Sequence, residues 1–560
     1  MFRVQPAARV RAVGGLTITA TVEQLLLAAC LFWVLAANRM FFGAALGGRS
    51  LAAPSTWGFA LALVLIVGAA HFLLLALLAN RWTVKPLVAV VALVSAVSSH
   101  YMQAYGVYLD PSMLRNVLHT DLAESRELLS WSLVLHVLLY AGLPILVLTR
   151  VQVVQRRWPR ALAWRLGAIG LAALVGVGSL LAVYQPMASL MRNHKELRYL
   201  ITPANVLWSG SLALARETRG AAAPRLAIGE DAAAGPRMAE RKRPLVVVLV
   251  VGETARAANW GLGGYARQTT PALARLPVIN FPDVTSCGTN TETSLPCMFA
   301  PVGRRDYDEA RIRGSESLLQ VLARAGVGVS WRDNQSGCKG VCAGLPTESV
   351  ATLNPPGLCD AARCLDEGLL VGLDERLARA SGTQFWVLHM LGNHGPSYFR
   401  RYPPAFERFV PACHDDDLQK CSREQIVNAY DNALLYTDHV LASLVAKLQA
   451  QAGRVDSVML YVSDHGESLG EKGLFLHGIP YAIAPKEQTR VPMVMWLSAG
   501  AARSAGVDAA CLRQRADTPA THDHLFHTVL GLLDVRTALY EPGLDLGAGC
   551  RPAGAAGPAS

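Results

Sequence analysis

Leu245-Val-Val-Val-Leu-Val-Val-Gly-Glu-Thr-Ala-Arg256 decides the fold, read together with Val458-Met-Leu-Tyr-Val-Ser-Asp-His-Gly-Glu467. Each is an apolar, β-branched run without alternation, the pattern of a strand buried on both faces of a parallel sheet. Each run ends in groups that bind metals or move protons: Glu253 after the first, Asp464 and His465 after the second. Open α/β sheets keep their ligand crevice at the carboxyl ends of their strands. Carboxylates and imidazole there form a ligand set that suits Zn²⁺. Between the two runs lies Cys287-Gly-Thr-Asn-Thr291, a hydroxyl-rich turn able to supply a nucleophile. The combination reads as a metal-activated hydroxyl attacking a phosphoryl or sulfuryl group.

Working outward, 560 residues exceed one ordinary domain. The chain is 52% hydrophobic with mean hydropathy +0.28, high for a soluble protein, and the apolar content is concentrated before about residue 185. Five membrane spans are expected, at about 20–46, 57–80, 86–107, 131–149 and 162–184, each long enough to cross ~30 Å of hydrocarbon. Residues 86–107 carry Ser98, Ser99, His100 and Gln103 and are the most polar of the five. The first span follows Arg3, Arg9 and Arg11 as a signal peptide would, but it is too long and lacks a small-residue cleavage site.

Basic residues set the orientation. Arg3, Arg9 and Arg11, then Arg81 and Lys85, then Arg150, Arg156, Arg157 and Arg160 all fall on one side of a five-span arrangement. On the other side lie Arg49, then Arg115 and Arg126 diluted by Asp110, Asp121, Glu124 and Glu127. The N-terminus is therefore expected in the cytoplasm and the soluble part outside it. The cysteines agree. Of 11, only Cys30 lies in a span; the other ten lie in the soluble part, several close together in sequence. Exported domains use such cysteines as disulfides. Short separation favours Cys287–Cys297, Cys338–Cys342, Cys359–Cys364 and Cys413–Cys421, with Cys511–Cys550 as the remaining pair. A zinc–thiolate site built from Cys338, Cys342, Cys359 and Cys364 is the rival arrangement. The net charge of +10 is partly the topogenic arginines, and the remainder suits an anionic membrane surface. There is no nucleic-acid motif, repeat or heptad array.

The expected organisation is a transmembrane region at 1–186 with a non-spanning helix at about 110–128, a helix and bridging linker at 187–243, a catalytic domain at 244–545 and a loose tail at 546–560. Asp110-Pro111-Ser112 starts a helix in the loop between spans 3 and 4. Asn116, Thr120 and Glu124 then recur every four residues, which places them on one helix face. That face is either solvated or a polar ridge that touches a lipid headgroup. In the soluble part, strand-like runs at 245–251, 327–331, 385–390, 458–463 and 491–498 alternate with helical patterns at 316–325 and 436–449, an α/β layered sheet. His394, within Gly392-Asn-His-Gly-Pro396, and His477, before Gly478, follow strand ends and are flanked by glycine, which permits close backbone approach. His71, His119 and His136 have no such setting and are read as structural or unassigned. Thr289 and Thr291 are both candidate nucleophiles, since either hydroxyl needs a base or metal to activate it.

Several motifs in order give the chain its resemblance: Val251-Gly-Glu-Thr-Ala-Arg256, Ser286-Cys-Gly-Thr-Asn-Thr291 with Pro296-Cys-Met-Phe299, Trp331-Arg-Asp-Asn334, Gly392-Asn-His-Gly-Pro396, Ser463-Asp-His-Gly-Glu-Ser468, and Asn193-His-Lys-Glu-Leu-Arg-Tyr199 in the membrane half. The chain resembles the lipid A phosphoethanolamine transferases, the family that includes the mobile colistin-resistance enzymes, within the alkaline phosphatase/sulfatase-like superfamily. The resemblance implies a five-helix transmembrane region plus an α/β sulfatase-like periplasmic domain in the bacterial inner membrane. It implies zinc held by Glu253, Thr291, Asp464 and His465, with Thr291 rather than Thr289 as nucleophile. It places His394 and His477 at positions that bind phosphoethanolamine or a second zinc, Lys339 on the substrate phosphate, and Asn116, Thr120 and Glu124 on the donor. The implied reaction moves phosphoethanolamine from phosphatidylethanolamine to a lipid A phosphate and weakens binding of cationic peptides such as polymyxin. Rival readings are a transferase using phosphoglycerol, a core sugar or a glucan, and a phosphodiester or sulfate ester hydrolase. A Cys/Ser-x-Pro-x-Arg sulfatase motif is absent around Thr291. One departure stands out: Glu292 follows the nucleophile where the family usually carries a small residue.

Overall fold

The computed structural model of the protein describes residues 17–220, 225–360 and 363–551. Arg3, Arg9 and Arg11, which the topology reading used, lie outside the described residues, as does the tail beyond 551. The chain divides into two compact units. One comprises the chain up to Gln103 with Trp131–Ser209; the other comprises Ala104–Ser130 with the chain from Gly210 onward. The segment between spans 3 and 4 thus belongs to the catalytic unit and not to the transmembrane region.

In the first unit, four helices are long and apolar enough to cross a membrane: Pro54–Ala76, Val84–Tyr105, Trp131–Arg150 and Trp158–Ala182. Val22–Ala37 and Arg39–Leu46 make a fifth if the bent pair is one span. The expected span at 20–46 is therefore not straight; its halves meet at 62°. Asn38 sits at the break, fully buried. Its amide donates to Trp33 O at 2.9 Å and Thr202 O at 2.8 Å, and its Oδ1 accepts from Thr202 N at 2.8 Å. Those bonds satisfy backbone groups that a bend leaves open. The third of these long helices, Trp131–Arg150, has a π turn at Leu138–Gly142, just before Pro144, whose missing N–H prevents regular pairing.

The second unit is built on an eight-stranded sheet: β1 (Leu245–Gly252), β2 (Ile279–Thr285), β3 (Gly328–Asp333), β4 (Thr347–Ser349), β5 (Thr383–His389), β6 (Asp456–Ser463), β7 (Arg490–Leu497) and β8 (Ala520–Thr521). Their order is β8-β2-β7-β6-β1-β5-β3-β4. β1 is central and buried along its whole length. Each Val or Leu so buried contributes about 1.5–3 kcal/mol relative to exposure. β1 runs parallel to β5 and β6, with Val251 opposite His389 and Gly252 opposite Ser463, so Glu253 and Asp464 emerge side by side. β7 is antiparallel to β6 and β2. β2 was not anticipated: Ile279-Asn-Phe-Pro-Asp-Val-Thr285 alternates in burial and contains Pro282, beside a register shift between Val491 and Met493 of β7.

Two expectations about connecting segments need correction. The helix expected at 110–128 is two helices, α1 (Pro111–His119) and α2 (Leu122–Glu127). Thr120 is extended, and Asp121 caps α2 by accepting from Glu124 N at 2.7 Å. Asn116, Thr120 and Glu124 therefore do not share one helix face. The expected linker is ordered where described. Ala233–Ala234 pairs with Val535–Arg536, and Arg237 bonds Asp534 at 2.8 Å. The stretch after 540 is likewise built in, through Tyr540 to Asp545 at 2.6 Å and the Cys511–Cys550 disulfide.

Candidate active site

The turn bearing Thr289 and Thr291 is held from three sides. The structure pairs Cys287–Cys297 and also Cys338–Cys342, Cys359–Cys364 and Cys413–Cys421; with Cys511–Cys550, this leaves only the buried Cys30 as a free cysteine among the described residues. A zinc–thiolate site at Cys338, Cys342, Cys359 and Cys364 is thereby excluded. Asn290 caps α3 (Thr291–Met298) by accepting from Thr293 N at 2.9 Å, so Thr291 stands at the first helical position. Backbone donors and the positive helix end converge there and favour an anion. His522 braces the turn from below. Its Nδ1 accepts from Cys287 N at 3.0 Å, and its Nε2 donates to Ser463 O at 2.9 Å. Burial drives the ring down to about 3, which keeps it neutral for this double role.

Glu253, Asp464 and His465 meet at the carboxyl ends of β1 and β6. One ligand atom from each lies within 4.8 Å of the others, and all three are fully buried. Thr291 Oγ is 3.1 Å from Glu253 Oε2 and 3.4 Å from His465 Nε2. Asp464 Oδ2 has no hydrogen-bond partner. Burial and the Glu253 charge raise the Asp464 carboxyl, whereas the His465 hydrogen bond and charge outweigh burial and hold Glu253 low. Two buried carboxylates with an orphaned oxygen and one imidazole are the donor set for a divalent cation. Gly392 makes room for this: it has φ +55°, and a Cβ there would meet Glu253 O at 2.6 Å.

Further groups surround the cluster. His477 lies beside His465 with ring centres 4.4 Å apart and planes tilted by 43°, and the His394 ring centre is 5.4 Å from that of His477. Glu467 orients His477 through Nδ1 at 2.8 Å and accepts from Tyr398 at 2.6 Å. Glu124 of α2 reaches His394 at 3.1 Å. Burial opposes both charges, yet their mutual attraction wins: Glu124 is held at about 2 and His394 raised to about 9. Glu127 pairs with Arg401 at 3.2 Å, and Asp121 with Arg363 at 3.4 Å. Lys339 does not stand open; its side chain is 6% exposed and bonded to Ser336 Oγ at 2.7 Å and Glu292 at 3.3 Å. Thr120 donates back to Asn116 O at 2.8 Å, ending α1. Thr289 donates to Ile479 O at 2.7 Å.

Sequence reading missed Gln335, Asp333 and His389. Gln335 Nε2 donates to Glu253 Oε2 at 3.3 Å, and Asp333 holds His389 Nδ1 at 2.8 Å. The Trp331-Arg-Asp-Asn334 motif at the end of β3 was the available signal. His119, read as structural or unassigned, lies 2.9 Å from Glu292, beside the nucleophile.

The comparisons with known proteins agree across both units. The family model for phosphoethanolamine transferase EptA/EptB matches residues 56–218, and the sulfatase model matches 246–535. Phosphoethanolamine transferase EptA of Salmonella typhimurium is 40% identical over 473 residues, 84% of this chain and 86% of its own length. Phosphatidylethanolamine transferase Mcr-1 of Escherichia coli is 39% identical over 489 residues, 85% of this chain and 89% of its own. The integral membrane lipooligosaccharide phosphoethanolamine transferase A of Neisseria meningitidis superimposes with TM-score 0.91 at 38% identity, covering 95% of this chain and 99% of that one. The chain belongs to the EptA-type phosphoethanolamine transferase family.

Proposed function

We propose that the protein transfers phosphoethanolamine from phosphatidylethanolamine to a phosphate of lipid A, in two steps through Thr291. The observation that carries this is the Thr291 hydroxyl at the start of α3, within 3.1 Å of Glu253 and 3.4 Å of His465. Glu253, Asp464, His465 and Thr291 would hold a zinc ion, which fits the orphaned Asp464 Oδ2 and the two buried carboxylates. Bound there, zinc stabilises the oxyanion form of a hydroxyl and offsets phosphate charge. Thr291 Oγ forms the new bond to phosphorus, and the bond to the diacylglycerol oxygen breaks. The threonine proton ends on that oxygen. His477, oriented by Glu467, is the group beside the cluster that can carry it. In the second step a lipid A phosphate oxygen bonds to the same phosphorus, the bond to Thr291 Oγ breaks, and the proton carried by the acceptor phosphate passes to Oγ.

Glu124 suits the donor's ammonium, because a carboxylate pairs with a cationic amine. It is already committed to His394, so the ammonium would compete for it. The added amine lowers the acceptor's negative charge and weakens cationic peptide binding, the basis for polymyxin resistance. The arginine distribution and the five disulfides support an inner-membrane protein with a cytoplasmic N-terminus and a periplasmic catalytic domain. Mass spectrometry of lipid A from cells with and without the chain tests the reading. A phosphoethanolamine increment on a lipid A phosphate supports it. An increment on a core sugar or glucan, or released phosphoethanolamine with no acceptor product, overturns the acceptor or the transfer itself.

A further inference from the structure

Glu292 directly follows Thr291, is 1% exposed, and has no place in the mechanism above. Two cationic side chains and an imidazole, from three segments, meet its carboxylate. His119 Nδ1 at the end of α1 lies 2.9 Å from Oε1, Lys339 Nζ lies 3.3 Å from the same oxygen, and Arg313 Nη2 lies 3.0 Å from Oε2. Arg313 also donates to the Glu292 carbonyl oxygen. Both carboxylate oxygens are thus engaged, so Glu292 is not arranged to receive a substrate ammonium. Around it Glu309 takes Arg115 and Arg313, leaving Arg115, Arg313 and Lys339 against two carboxylates.

The lysine end leads back to the reacting hydroxyl. Lys339 has φ +48°, an uncommon conformation for a non-glycine residue, inside the Cys338–Cys342 loop. Its ammonium donates to Ser336 Oγ at 2.7 Å, Ser336 Oγ donates to Gln335 Oε1, and Gln335 Nε2 donates to Glu253 Oε2 at 3.3 Å. Glu253 accepts from Thr291 Oγ at 3.1 Å. A closed ring runs Thr291, Glu292, Lys339, Ser336, Gln335, Glu253. On the other side His119 ties α1 to the same carboxylate, and Asn290, the cap of α3, reaches Ser112 of α1 at 3.4 Å.

We propose that Glu292 is a positioning residue for the transfer: it holds Lys339 and the loop at 335–342 against Thr291, and fastens α1 to the nucleophile's helix. This rests on Thr291 being the attacking group. A buried carboxylate with two cations and an imidazole keeps its geometry only while the set is complete, because removing one member leaves the others uncompensated. A shift of Lys339 by about 1 Å is enough to cost up to ~100-fold in rate.

The test uses the full-length protein in detergent with zinc and a soluble chromogenic phosphodiester, so that the outcome does not depend on lipid presentation. Glu292→Gln keeps size and removes charge; Glu292→Asp keeps charge. The expected result is a fall in kcat/KM of at least about tenfold for Glu292→Gln, partial recovery in Glu292→Asp, and a thermal midpoint in Glu292→Gln that falls yet stays above the assay temperature, so that the loss is not one of folded enzyme. Lys339→Met also lowers kcat/KM, and Glu292→Gln on top of it adds nothing, because Glu292 acts through Lys339. Wild-type activity in Glu292→Gln overturns the proposal. Equally, multiplicative losses in the double variant overturn it, since they mean that the two side chains act separately. If Glu292→Gln does not fold, the same comparison is made with Glu292→Asp. A parent enzyme that forms no phosphorylated Thr291 sinks the underlying mechanism whatever the Glu292 variants do.

Discussion

Thr289 and Thr291 stand two positions apart in one turn, yet their hydroxyls have different surroundings. Thr289 donates to the Ile479 carbonyl, a bond that fixes the loop bearing His477. Thr291 faces Glu253 and His465. Thr291→Ala should therefore abolish transfer while the protein still folds and binds zinc more weakly. Thr289→Ala should lose about 1 kcal/mol of stability and keep transfer. Thermal melts, zinc content and phosphoenzyme detection distinguish the two, and exchanged phenotypes would reassign the nucleophile. The loop's residues alone left both threonines open, because spacing does not say which way a turn residue points, and it was the family resemblance that singled out Thr291. Glu253, Asp464 and His465 were legible because strand ends announce themselves as apolar runs stopped by polar groups. Glu292 was visible only as an oddity. Its partners His119, Arg313 and Lys339 come from three segments that only the fold brings together.

At the scale of elements, α1 and α2 show how a correct polar inventory can be given the wrong geometry. The four-residue spacing of Asn116, Thr120 and Glu124 predicts one helix, but Asp121 is a better cap than a helix interior residue and starts α2 afresh. The long helix Arg423–Ala450 was expected only from 436, because Asn428, Asp431 and Asn432 are buried polar residues that interrupt its apolar stripe. α2 is docked by charge, and its docking should depend on pH. Glu124 is lowered to about 2, so its contribution is present above the ordinary carboxyl value and is lost as pH falls toward 2. His394 is raised to about 9, so its contribution is full below about 6.5 and is lost as pH rises through 9. Protection of the 111–127 amides in the metal-free protein, taken as exchange relative to the intrinsic rate at each pH, should be greatest between those limits and fall above pH 9. A flat profile would show that the pair does not hold α2. Arg401→Met should loosen the same segment by leaving Glu127 buried without its main partner, a loss of order 3 kcal/mol. Proteolysis confined to 111–127, with the sheet intact, is the expected signature.

At the scale of the whole molecule, the division of the chain does not follow its linear order. The catalytic unit takes in Ala104–Ser130, which the sequence places between two spans. It also binds Arg225–Arg243 more firmly than composition implied, since Ala, Gly and Pro do not reveal that Arg237 has a partner 297 residues away. A soluble fragment starting at Pro244 therefore discards two kinds of support. It loses the Arg237 and Met238 bonds to Asp534, the Gly235 bond to Asp534 O and the short strand pair with Val535–Arg536. The Asp534 carboxylate is then left without the Arg237 and Met238 bonds that hold it at the end of a buried helix. A fragment starting at Arg225 keeps those bonds, and its melting midpoint should be higher by about 2–4 °C for each kcal/mol they contribute. Both fragments lack Glu124 and Glu127, so His394 and Arg401 lose their carboxylates. Both should bind zinc through the strand-end cluster, yet both should turn over phosphatidylethanolamine in vesicles far more slowly than the full chain. A soluble diester should be affected less, because it needs neither the membrane nor the ammonium partner. Equal melting midpoints would return residues 225–243 to the status of a linker. Full-rate turnover of vesicle donor by either fragment would show that Ala104–Ser130 is docked on the catalytic unit without serving the reaction.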